Sequence, residues 1–361
     1  MLIAPDLLWL DGALRPDMAL RIEGGTVAEV GPAAGTPDLA PHLLIPGLTD
    51  LQVNGGGGTM LNGDPTPDGL ARIVTAHRGL GTAEIMATVI TDAPEVMEAA
   101  ADAVLAAIDR PGLLGLHIEG PHIAHERRGT HAPEHIRPLD ERTATLVERL
   151  RAAGVPVMFT LAPERSDPPL MARIAASGAV LSAGHSAATA EEARAGLESG
   201  ITCFTHLYNA MPPMTSRSPG ILGTAILSDA FAGIIADGIH VSWDMIRLAL
   251  AARPEGRTFI VSDAMATVGG PDAFTLYGQT IRVEDGALVN AEGSLAGAHI
   301  DMLTSLGNLH RHVGVPLSRA VAMATDIPRA AMGLPPRRIA EGLDARWLLA
   351  LDEGLARTEI A

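Results

Sequence analysis

The chain has 361 residues, a length that suits a large α/β barrel with a small additional domain. Lys and Arg total 26 and Asp and Glu total 42, so the formal net charge is −16, which argues against nucleic acid and anionic membranes as partners. The single cysteine, Cys203, rules out an intramolecular disulfide framework and favours a reducing, cytoplasmic location, and the sequence predicts neither a membrane-spanning helix nor a basic signal segment at its start.

The two ends of the sequence predict short strands. Residues 1 to about 45 contain strand patterns at Ala19–Glu23 and Thr26–Val30, and the Gly-Gly pair between them indicates a hairpin. The last apolar run, Trp347–Leu351, has the same character. We therefore expect residues 1–45 and 336–361 to form one small β-sandwich domain.

Residues 46–335 alternate between apolar runs and amphipathic segments with helical spacing, which is typical of βα units around a parallel sheet. The apolar runs are Leu43–Val53, Glu84–Val89, Leu113–Ile118, Val155–Leu161, Ala179–Ala183, Ile201–Phe204, Ala230–Ala236 and Thr258–Val261. The clearest helical segments are Pro94–Ile108, Asp140–Ala153, Asp167–Ser177 and Thr189–Ser199. Eight such runs predict a closed (β/α)₈, TIM-like barrel over residues 46–335. An open doubly wound sheet is the alternative, but no GxGxxG follows the first strand.

The pattern changes after the eighth run. Thr275–Val289 predicts a hairpin with its turn at Glu284-Asp285-Gly286. Asp301–Val313 and Leu317–Met332 each predict a helix.

Side chains of the metal-ligand type follow most of the predicted barrel strands. They are Gln52 and Asn54 after the first strand, Glu119 after the third, His185 after the fifth, His206 after the sixth, Asp237 and His240 after the seventh, and Asp263 after the eighth. Because the active site of such a barrel forms at the C-terminal strand ends, we expect these side chains to lie together.

Glu119, His185 and His206 offer one carboxylate oxygen and two imidazole nitrogens, which matches a catalytic Zn²⁺ site with an open position for water. Such a metal lowers the pKa of its water to about 7. Asp263, alone after the last strand, is then placed to act as general base and later as general acid. Each residue alone is more simply explained as a structural hydrogen-bonding or turn residue. The four together favour the metal site.

Three further residues are candidate substrate contacts. Arg217 lies on a Pro-, Ser- and Gly-rich loop of an acidic chain, and the fork of its guanidinium suits phosphate or carboxylate. His240 and His131 lie just beyond predicted strand ends. Each of the three could equally be a solvated loop residue.

Several sequence strings together resemble the N-acetylglucosamine-6-phosphate deacetylases of the amidohydrolase superfamily. The strings are PGLTDLQVNGGGG, GLHIEGPHI, RGTHAP, LAPE, SAGHS, THLYNAMPPM, ADGIHV, VSDAM and GSLAGAHIDM, which occur in this order over about residues 43 to 335. The resemblance implies a barrel with a small β-sandwich and a metal-dependent hydrolysis of the acetamide of N-acetylglucosamine-6-phosphate. It implies that Glu119, His185 and His206 hold the metal and that Asp263 is the catalytic acid/base.

The same resemblance implies the substrate contacts. His131 would contact the acetamide and assist catalysis there, while Asn209, the backbone of Ala210 and His240 would contact the sugar phosphate. Arg217 would reach the phosphate from the neighbouring subunit of a homodimer.

Two departures from the superfamily pattern bear on these expectations. Many amidohydrolases carry H-x-H after the first strand and hold two metals, whereas this chain has Gln52-Val53-Asn54. Amides are weak ligands beside imidazole, so we expect one divalent metal per subunit, Zn²⁺ first, with Fe²⁺, Mn²⁺ or Co²⁺ as alternatives. Ala298 and His299 replace a Ser-containing family pattern, which leaves the acyl-group specificity open.

Two other functions stay open at this point. The chain could be another amidohydrolase that acts on a different N-acyl or cyclic amide. It could also be a non-catalytic barrel that binds amino-sugar phosphates.

Overall fold

A computed structural model describes residues 1–290 and 295–360. In chain order, the strands of these residues are β1 (Leu2–Ile3), β2 (Leu7–Leu10), β3 (Ala13–Arg15), β4 (Met18–Glu23), β5 (Thr26–Pro32), β6 (Leu43–Pro46), β7 (Leu48–Val53), β8 (Gly55–Gly56), β9 (Thr59–Met60), β10 (Thr82–Ile90), β11 (Leu113–Glu119), β12 (Val157–Leu161), β13 (Val180–Ala183), β14 (Ile201–Phe204), β15 (Phe231–Ile234), β16 (Thr258–Ile260), β17 (Ala273–Leu276), β18 (Gln279–Glu284), β19 (Ala287–Val289), β20 (Leu295–Ala298), β21 (Leu348–Leu351) and β22 (Arg357–Thr358). The helices are α1 (Pro67–Gly79), α2 (Pro94–Ala107), α3 (Glu141–Ala152), α4 (Pro168–Ala176), α5 (Ala190–Glu198), α6 (Gly220–Leu227), α7 (Trp243–Ala252), α8 (Met302–Asn308), α9 (Leu317–Ala324) and α10 (Asp326–Ala331).

The predicted barrel is confirmed. Within the described residues, eight parallel strands lie side by side in the order β7, β10, β11, β12, β13, β14, β15 and β16, and one of the helices α1 to α7 lies between each consecutive pair. The strands are buried almost throughout, as expected for a parallel sheet covered by helices. The core is mainly Ala, Leu, Val and Ile, which agrees with the low aromatic content of 3%.

The first and last barrel strands meet at a seam. The Ser262 hydroxyl, just beyond β16, donates to the Asp50 carboxylate on β7, and Val53 and Ala264 form a parallel bridge. The backbone N–H of Asn54 donates to the Ala264 carbonyl at 2.9 Å. Burial raises the pKa of Asp50 to about 7. The seam therefore fixes the backbone on both sides of Asp263.

Side-chain caps determine where many of the surrounding helices begin. An oxygen of the residue before the helix accepts a hydrogen bond from a backbone N–H in the first turn, which satisfies a donor with no helical partner. The capping residues are Thr66 for α1, Asp140 for α3, Asp167 for α4, Thr189 for α5 and Asp301 for α8.

The chain ends build two further sheets, one with the order β1-β4-β5 and one with the order β22-β21-β6-β2-β3. β21 pairs antiparallel with β6, so that Leu351 lies opposite Leu43. The two sheets share an apolar cluster that includes Ile3, Leu8, Leu20 and Leu348. The boundaries at residues 45/46 and 335/336 stay predictions.

Three details differ from the sequence-based expectation. The run Leu43–Val53 is divided at Gly47 into β6, which belongs to the end sheets, and β7, which belongs to the barrel. A Cβ at position 47 would lie 2.3 Å from the Ala83 Cβ, so only glycine fits between the two strands. The hairpin at Thr275–Val289 is part of a four-stranded antiparallel sheet, β17 to β20. The segment Leu317–Met332 forms two helices, because Pro328 has no N–H to donate to the Ala324 carbonyl.

None of the helices in the described residues has the length and apolar composition needed to cross a membrane.

Candidate active site

The barrel brings the predicted ligand residues to one end. Glu119 is the last residue of β11, His185 and His206 each lie two residues beyond their strands, and Asp263 lies three residues beyond β16. The parallel strands all end on the same side, so these side chains converge. Glu119, His185 and His206 are buried.

Three ligand atoms form a compact triangle. Glu119 Oε1 lies 3.2 Å from His185 Nε2 and 3.1 Å from His206 Nε2, and the two imidazole nitrogens are 2.9 Å apart. Metal–nitrogen distances of about 2.0–2.1 Å in a tetrahedral zinc site place ligand atoms roughly 3.3 Å apart. The triangle thus has the size that a single small divalent cation requires.

The hydrogen bonds around the triangle also favour a cation. The Nδ1 atom of His185 lies 2.8 Å from the Arg127 carbonyl, which can only accept, so Nδ1 carries the proton and Nε2 presents a lone pair. That lone pair faces the Glu119 carboxylate. An ionised carboxylate also offers only lone pairs to its neighbours. Two lone pairs at this distance repel unless a cation lies between them.

A second grouping is less compact. Glu119, His131 and His185 each offer one ligand atom, and these atoms all lie within 4.8 Å of one another. The Nδ1 atom of His131 is already 2.7 Å from the Thr91 hydroxyl. The shorter distances to His206 make Glu119, His185 and His206 the better ligand set.

Asp263 is held by two amide side chains. Its Oδ1 accepts from Asn54 Nδ2 at 2.7 Å and from Gln52 Nε2 at 3.2 Å, and the same Gln52 nitrogen donates to Glu119 Oε1 at 2.9 Å. Gln52 and Asn54 therefore act as donors to carboxylates rather than as ligands. Burial, with a further contribution from the Glu119 charge, raises the pKa of Asp263 to about 6. A carboxyl group with a pKa near neutrality suits proton transfer in both directions.

His131 and His240 face the same cavity as the triangle. Burial, followed by the neighbouring His185, lowers the pKa of His131 to about 3, so its imidazole is neutral. His240 Nδ1 lies 2.6 Å from Asp237 Oδ2, and the other oxygen of Asp237 accepts the backbone N–H of His240 at 2.8 Å. His240 is thus oriented by the carboxylate that comes before it in the same loop.

The backbone at the strand ends is strained. His185, His206 and Asp263 have φ values of +49°, +28° and +53°, and Ala210 in the loop after β14 has +52°. Residues other than glycine rarely adopt this left-handed conformation, and where they do they cluster at functional sites. Here the strain turns three chemically active side chains toward one point.

The cavity above the triangle has a volume of about 170 Å³. Its walls bring together most of the residues that the sequence predicted: Glu119, His131, His185, His206, Asn209, Ala210, His240 and Asp263. Leu295 and Gly297 of the four-stranded sheet close one side.

Comparisons with known proteins agree with this geometry. The sequence profile described as the amidohydrolase family matches residues 43–352. The chain belongs to the amidohydrolase family.

Within the family, this amidohydrolase is similar to deacetylases of amino-sugar phosphates, as three relatives show. A Shewanella protein named N-acetylgalactosamine-6-phosphate deacetylase is 42% identical over 320 residues, which is 87% of this chain and 81% of that protein. A Haemophilus influenzae protein named N-acetylglucosamine-6-phosphate deacetylase is 34% identical over 334 residues, 89% of this chain and 87% of that protein. The solved structure of the Pasteurella multocida N-acetylglucosamine-6-phosphate deacetylase superposes with a TM-score of 0.91 at 30% identity, covering 99% of this chain and 96% of the other. These matches confirm the resemblance inferred from the sequence strings.

Arg217 is the predicted site residue of this amidohydrolase that does not line the cavity of its own chain. It is exposed, on the loop between β14 and α6. Its role as a phosphate contact from a neighbouring subunit stays a prediction. The chemical roles of the residues that do converge are predictions as well.

Sequence analysis missed several residues that shape this amidohydrolase site. Thr91 follows β10 and contacts His131, and Tyr277 lies in the turn between β17 and β18 and contacts Thr91. Asp50 and Ser262 form the seam beneath Asp263. Thr91 and Ser262 could not be singled out, because a threonine or serine after an apolar strand is common. Asp50 could have been, because a carboxylate inside an apolar run is costly to bury without a partner.

Proposed function

We propose that this amidohydrolase hydrolyses the acetamide of N-acetylglucosamine-6-phosphate and releases glucosamine-6-phosphate and acetate. The observation that carries the proposal is the triangle of Glu119, His185 and His206 beside Asp263, in a cavity at the C-terminal ends of the strands. The names of the relatives provide the substrate class.

We expect one divalent metal per subunit, held by Glu119, His185 and His206. The donor set favours Zn²⁺, and Fe²⁺, Mn²⁺ and Co²⁺ are alternatives. When bound, the ion supplies Lewis-acid activation of water and of the acyl carbonyl. The use of Gln52 and Asn54 as hydrogen-bond donors supports a single ion.

Asp263 transfers the proton. Its Oδ1 is occupied by the amide donors of Gln52 and Asn54, while no described residue donates to Oδ2, so Oδ2 is the oxygen available to the reacting water. The carboxylate accepts a proton from water as the water attacks the acyl carbon. It then gives that proton to the amide nitrogen, so the C–N bond breaks and the amine leaves neutral.

The remaining cavity residues bind and polarise the substrate. His131, as a neutral imidazole, donates a hydrogen bond to the carbonyl oxygen and stabilises the negative charge that develops there. Asn209, the backbone of Ala210 and His240 contact the sugar phosphate. Arg217 supplies the guanidinium that pairs with the phosphate.

A homodimer would bring Arg217 to the site. Exposed apolar side chains occur in this loop, in α6 and in the segment from β15 to the end of α7: Met214, Leu227, Ile239, Met245 and Leu248. Leu227 alone is 82% exposed. A second copy packed on this surface would bury these side chains and place one subunit's loop near the other's cavity.

Intersubunit complementation tests this arrangement. Arg217→Ala and Asp263→Asn proteins are each inactive alone if both residues are needed. Mixed dimers regain activity if Arg217 acts in the neighbouring site, because one site then has both side chains intact. No regain in a mixture of proven heterodimers would overturn the shared site, and a monomer by sedimentation would overturn the dimer.

Acetate release from N-acetylglucosamine-6-phosphate tests the reaction itself. We expect strong preference over unphosphorylated N-acetylglucosamine, loss of activity with a chelator and recovery with Zn²⁺. Arg217→Ala should weaken hydrolysis of the phosphorylated sugar far more than that of the other. Arg21→Ala, an exposed arginine of the end sheets, is the matched control. No acetate from either sugar with metal bound would redirect the search to a different N-acyl or cyclic amide. Saturable binding without hydrolysis would favour the non-catalytic alternative.

The epimeric substrate is a second candidate. The 42% identical Shewanella relative is named for N-acetylgalactosamine-6-phosphate, so that sugar belongs in the same assay. The ratio of the two kcat/KM values decides which is preferred.

We also propose a cytoplasmic location. Cys203 is the only cysteine of the sequence and is unpaired, and chains without disulfides are usual in a reducing compartment. Cell fractionation with activity as the readout tests this.

A further inference from the structure

His131 is anchored through one ring nitrogen. Its Nδ1 lies 2.7 Å from the Thr91 hydroxyl and accepts the Thr91 backbone N–H at 3.3 Å. Both residues are buried, with Thr91 fully shielded and His131 5% exposed. Water therefore does not compete for these bonds.

The backbone N–H settles the direction of these bonds. An amide N–H can only donate, so Nδ1 must present a lone pair to it. The hydroxyl then donates to the same lone pair at the shorter distance, and its alternative acceptor, the Glu119 carbonyl, is 3.4 Å away. A neutral imidazole with Nδ1 as acceptor carries its proton on Nε2, on the side of the ring away from Thr91.

This tautomer matters for the chemistry. An Nε2–H group donates a hydrogen bond but does not ligate a metal. His131 is therefore not a metal ligand like Glu119 and His185, although one ligand atom of each of the three lies within 4.8 Å of the others. The opposite tautomer would present a lone pair to the cavity and would repel a carbonyl oxygen.

Thr91 is itself held from two sides. On one side, a Cβ on Gly120 would lie 2.2 Å from the Thr91 hydroxyl oxygen, so the turn after Glu119 packs directly on Thr91. On the other, the Tyr277 hydroxyl donates to the Thr91 carbonyl at 2.6 Å. Tyr277 has φ +49° in a two-residue turn with Gly278, a strained position for a tyrosine.

We propose that Thr91 is a positioning residue that fixes the Nε2–H tautomer and the orientation of His131, and that Tyr277 braces Thr91 from the four-stranded sheet. The inference rests on the proposed function only in giving His131 a substrate carbonyl to which it donates. The tautomer itself is a property of the protein without substrate.

Nitrogen-15 NMR of histidine-labelled holoprotein tests the tautomer directly. Long-range ¹H–¹⁵N spectra distinguish a protonated Nε2 from a protonated Nδ1 for each ring, and the His131 signals are assigned by their loss in His131→Asn. We expect a protonated Nε2 and an accepting Nδ1. A protonated Nδ1 would overturn the inference without any activity measurement.

Kinetics test the positioning role. Thr91→Val keeps the shape and removes the hydroxyl donor, so we expect kcat to fall by about 10- to 100-fold with KM little changed. Thr91→Ser should restore most of kcat, and Tyr277→Phe should lower kcat less than Thr91→Val does. Thr325→Val is the matched control, because it removes an equally short buried hydroxyl bond, 2.7 Å to the Val321 carbonyl, outside the cavity.

The outcomes separate the two proposals. If Thr91→Val keeps the wild-type kcat, or if Thr91→Ser is as impaired as Thr91→Val at equal metal content, the positioning role is wrong although the deacetylase reaction stands. If Thr91→Val does not fold, Thr91→Ser and Tyr277→Phe carry the same comparison. If the wild type releases no acetate from any acetamido sugar phosphate, the proposed function fails and the NMR spectrum alone decides the tautomer.

Discussion

Replacing Asn54 by leucine should move the pH dependence of the reaction. Asn54 Nδ2 donates to Asp263 Oδ1 at 2.7 Å and so stabilises the ionised carboxylate. Asn54 Oδ1 is buried and has no hydrogen-bond partner among the described residues, so the near-isosteric Asn54→Leu change removes a donor and little else. The variant thus isolates one influence on the proton-transfer group.

The size of the shift follows from the bond. A hydrogen bond to a charged group contributes about 1.5–3 kcal/mol, and 1.36 kcal/mol corresponds to one pKa unit, so its loss raises the pKa by about 1–2 units. Gln52 still donates at 3.2 Å, which favours the lower figure. A cation on Glu119 offsets that carboxylate's charge, so we place the wild-type acid limb between 3.8 and about 6.

The assay is kcat/KM for acetate release across the pH range in which the protein stays folded by circular dichroism. Activity requires ionised Asp263, so kcat/KM rises with pH through the pKa. At pH values below both pKa values, kcat/KM divided by its high-pH plateau should be about tenfold lower for the variant than for the wild type. Asn308→Leu is the control, because it removes one amide donor, 2.9 Å from the Ala236 carbonyl, that does not contact Asp263. Coincident acid limbs for Asn54→Leu and wild type would refute the assignment of that limb to Asp263.

Three further predictions concern stability and metal. The pKa of Asp50 in the folded protein is about 7, above its usual 3.8, so between these pH values the folded state holds a proton that the unfolded chain releases. The free energy of unfolding should therefore fall by up to about 4 kcal/mol as the pH rises from 3.8 to about 7. Asp50→Asn should flatten this pH dependence in urea titrations. Glu84 is buried between Arg329 and Arg337, so Glu84→Gln should lower the free energy of unfolding by about 3–5 kcal/mol. The exposed control Glu98→Gln, which loses its pair with Arg142, should lower it by less than about 1 kcal/mol. Equal losses of unfolding free energy in the two variants would contradict this prediction. Removing the metal should lower the melting temperature as well as abolish activity, since an ion that binds only the folded state stabilises it; an unchanged melting temperature after proven metal loss would argue against the buried triangle as the site.

The convergence of the site was predictable from the sequence. Parallel strands end on one side of a barrel, so Glu119, His185, His206 and Asp263 had to approach one another once the alternation of strands and helices was recognised. The same reasoning placed His240 at the rim. It did not place Arg217 in the cavity, because an exposed loop has no strand to fix its position.

The supporting contacts were not predictable in the same way. Thr91 and Tyr277 are 186 residues apart in sequence and meet only because the four-stranded sheet folds back over β10. The run Leu43–Val53 is divided between two sheets at Gly47, which packs against Ala83, a residue 36 positions later, so no local pattern predicts the division. Local periodicity specifies the elements, whereas these contacts depend on how distant elements pack.

The pairing of β6 with β21 has a consequence for folding kinetics. Leu43 and Leu351 are opposite each other across that ladder, so 308 residue positions separate the partners (351 − 43). On a ribosome, β6 can pair with β2 early, but its other edge must wait until nearly the whole barrel has been synthesised before β21 exists. Contacts of such high sequence separation form slowly, and an apolar strand with one unpaired edge is prone to aggregation until that edge is covered. We therefore expect completion of this sheet to be a late step of folding, one that truncation before β21 would prevent.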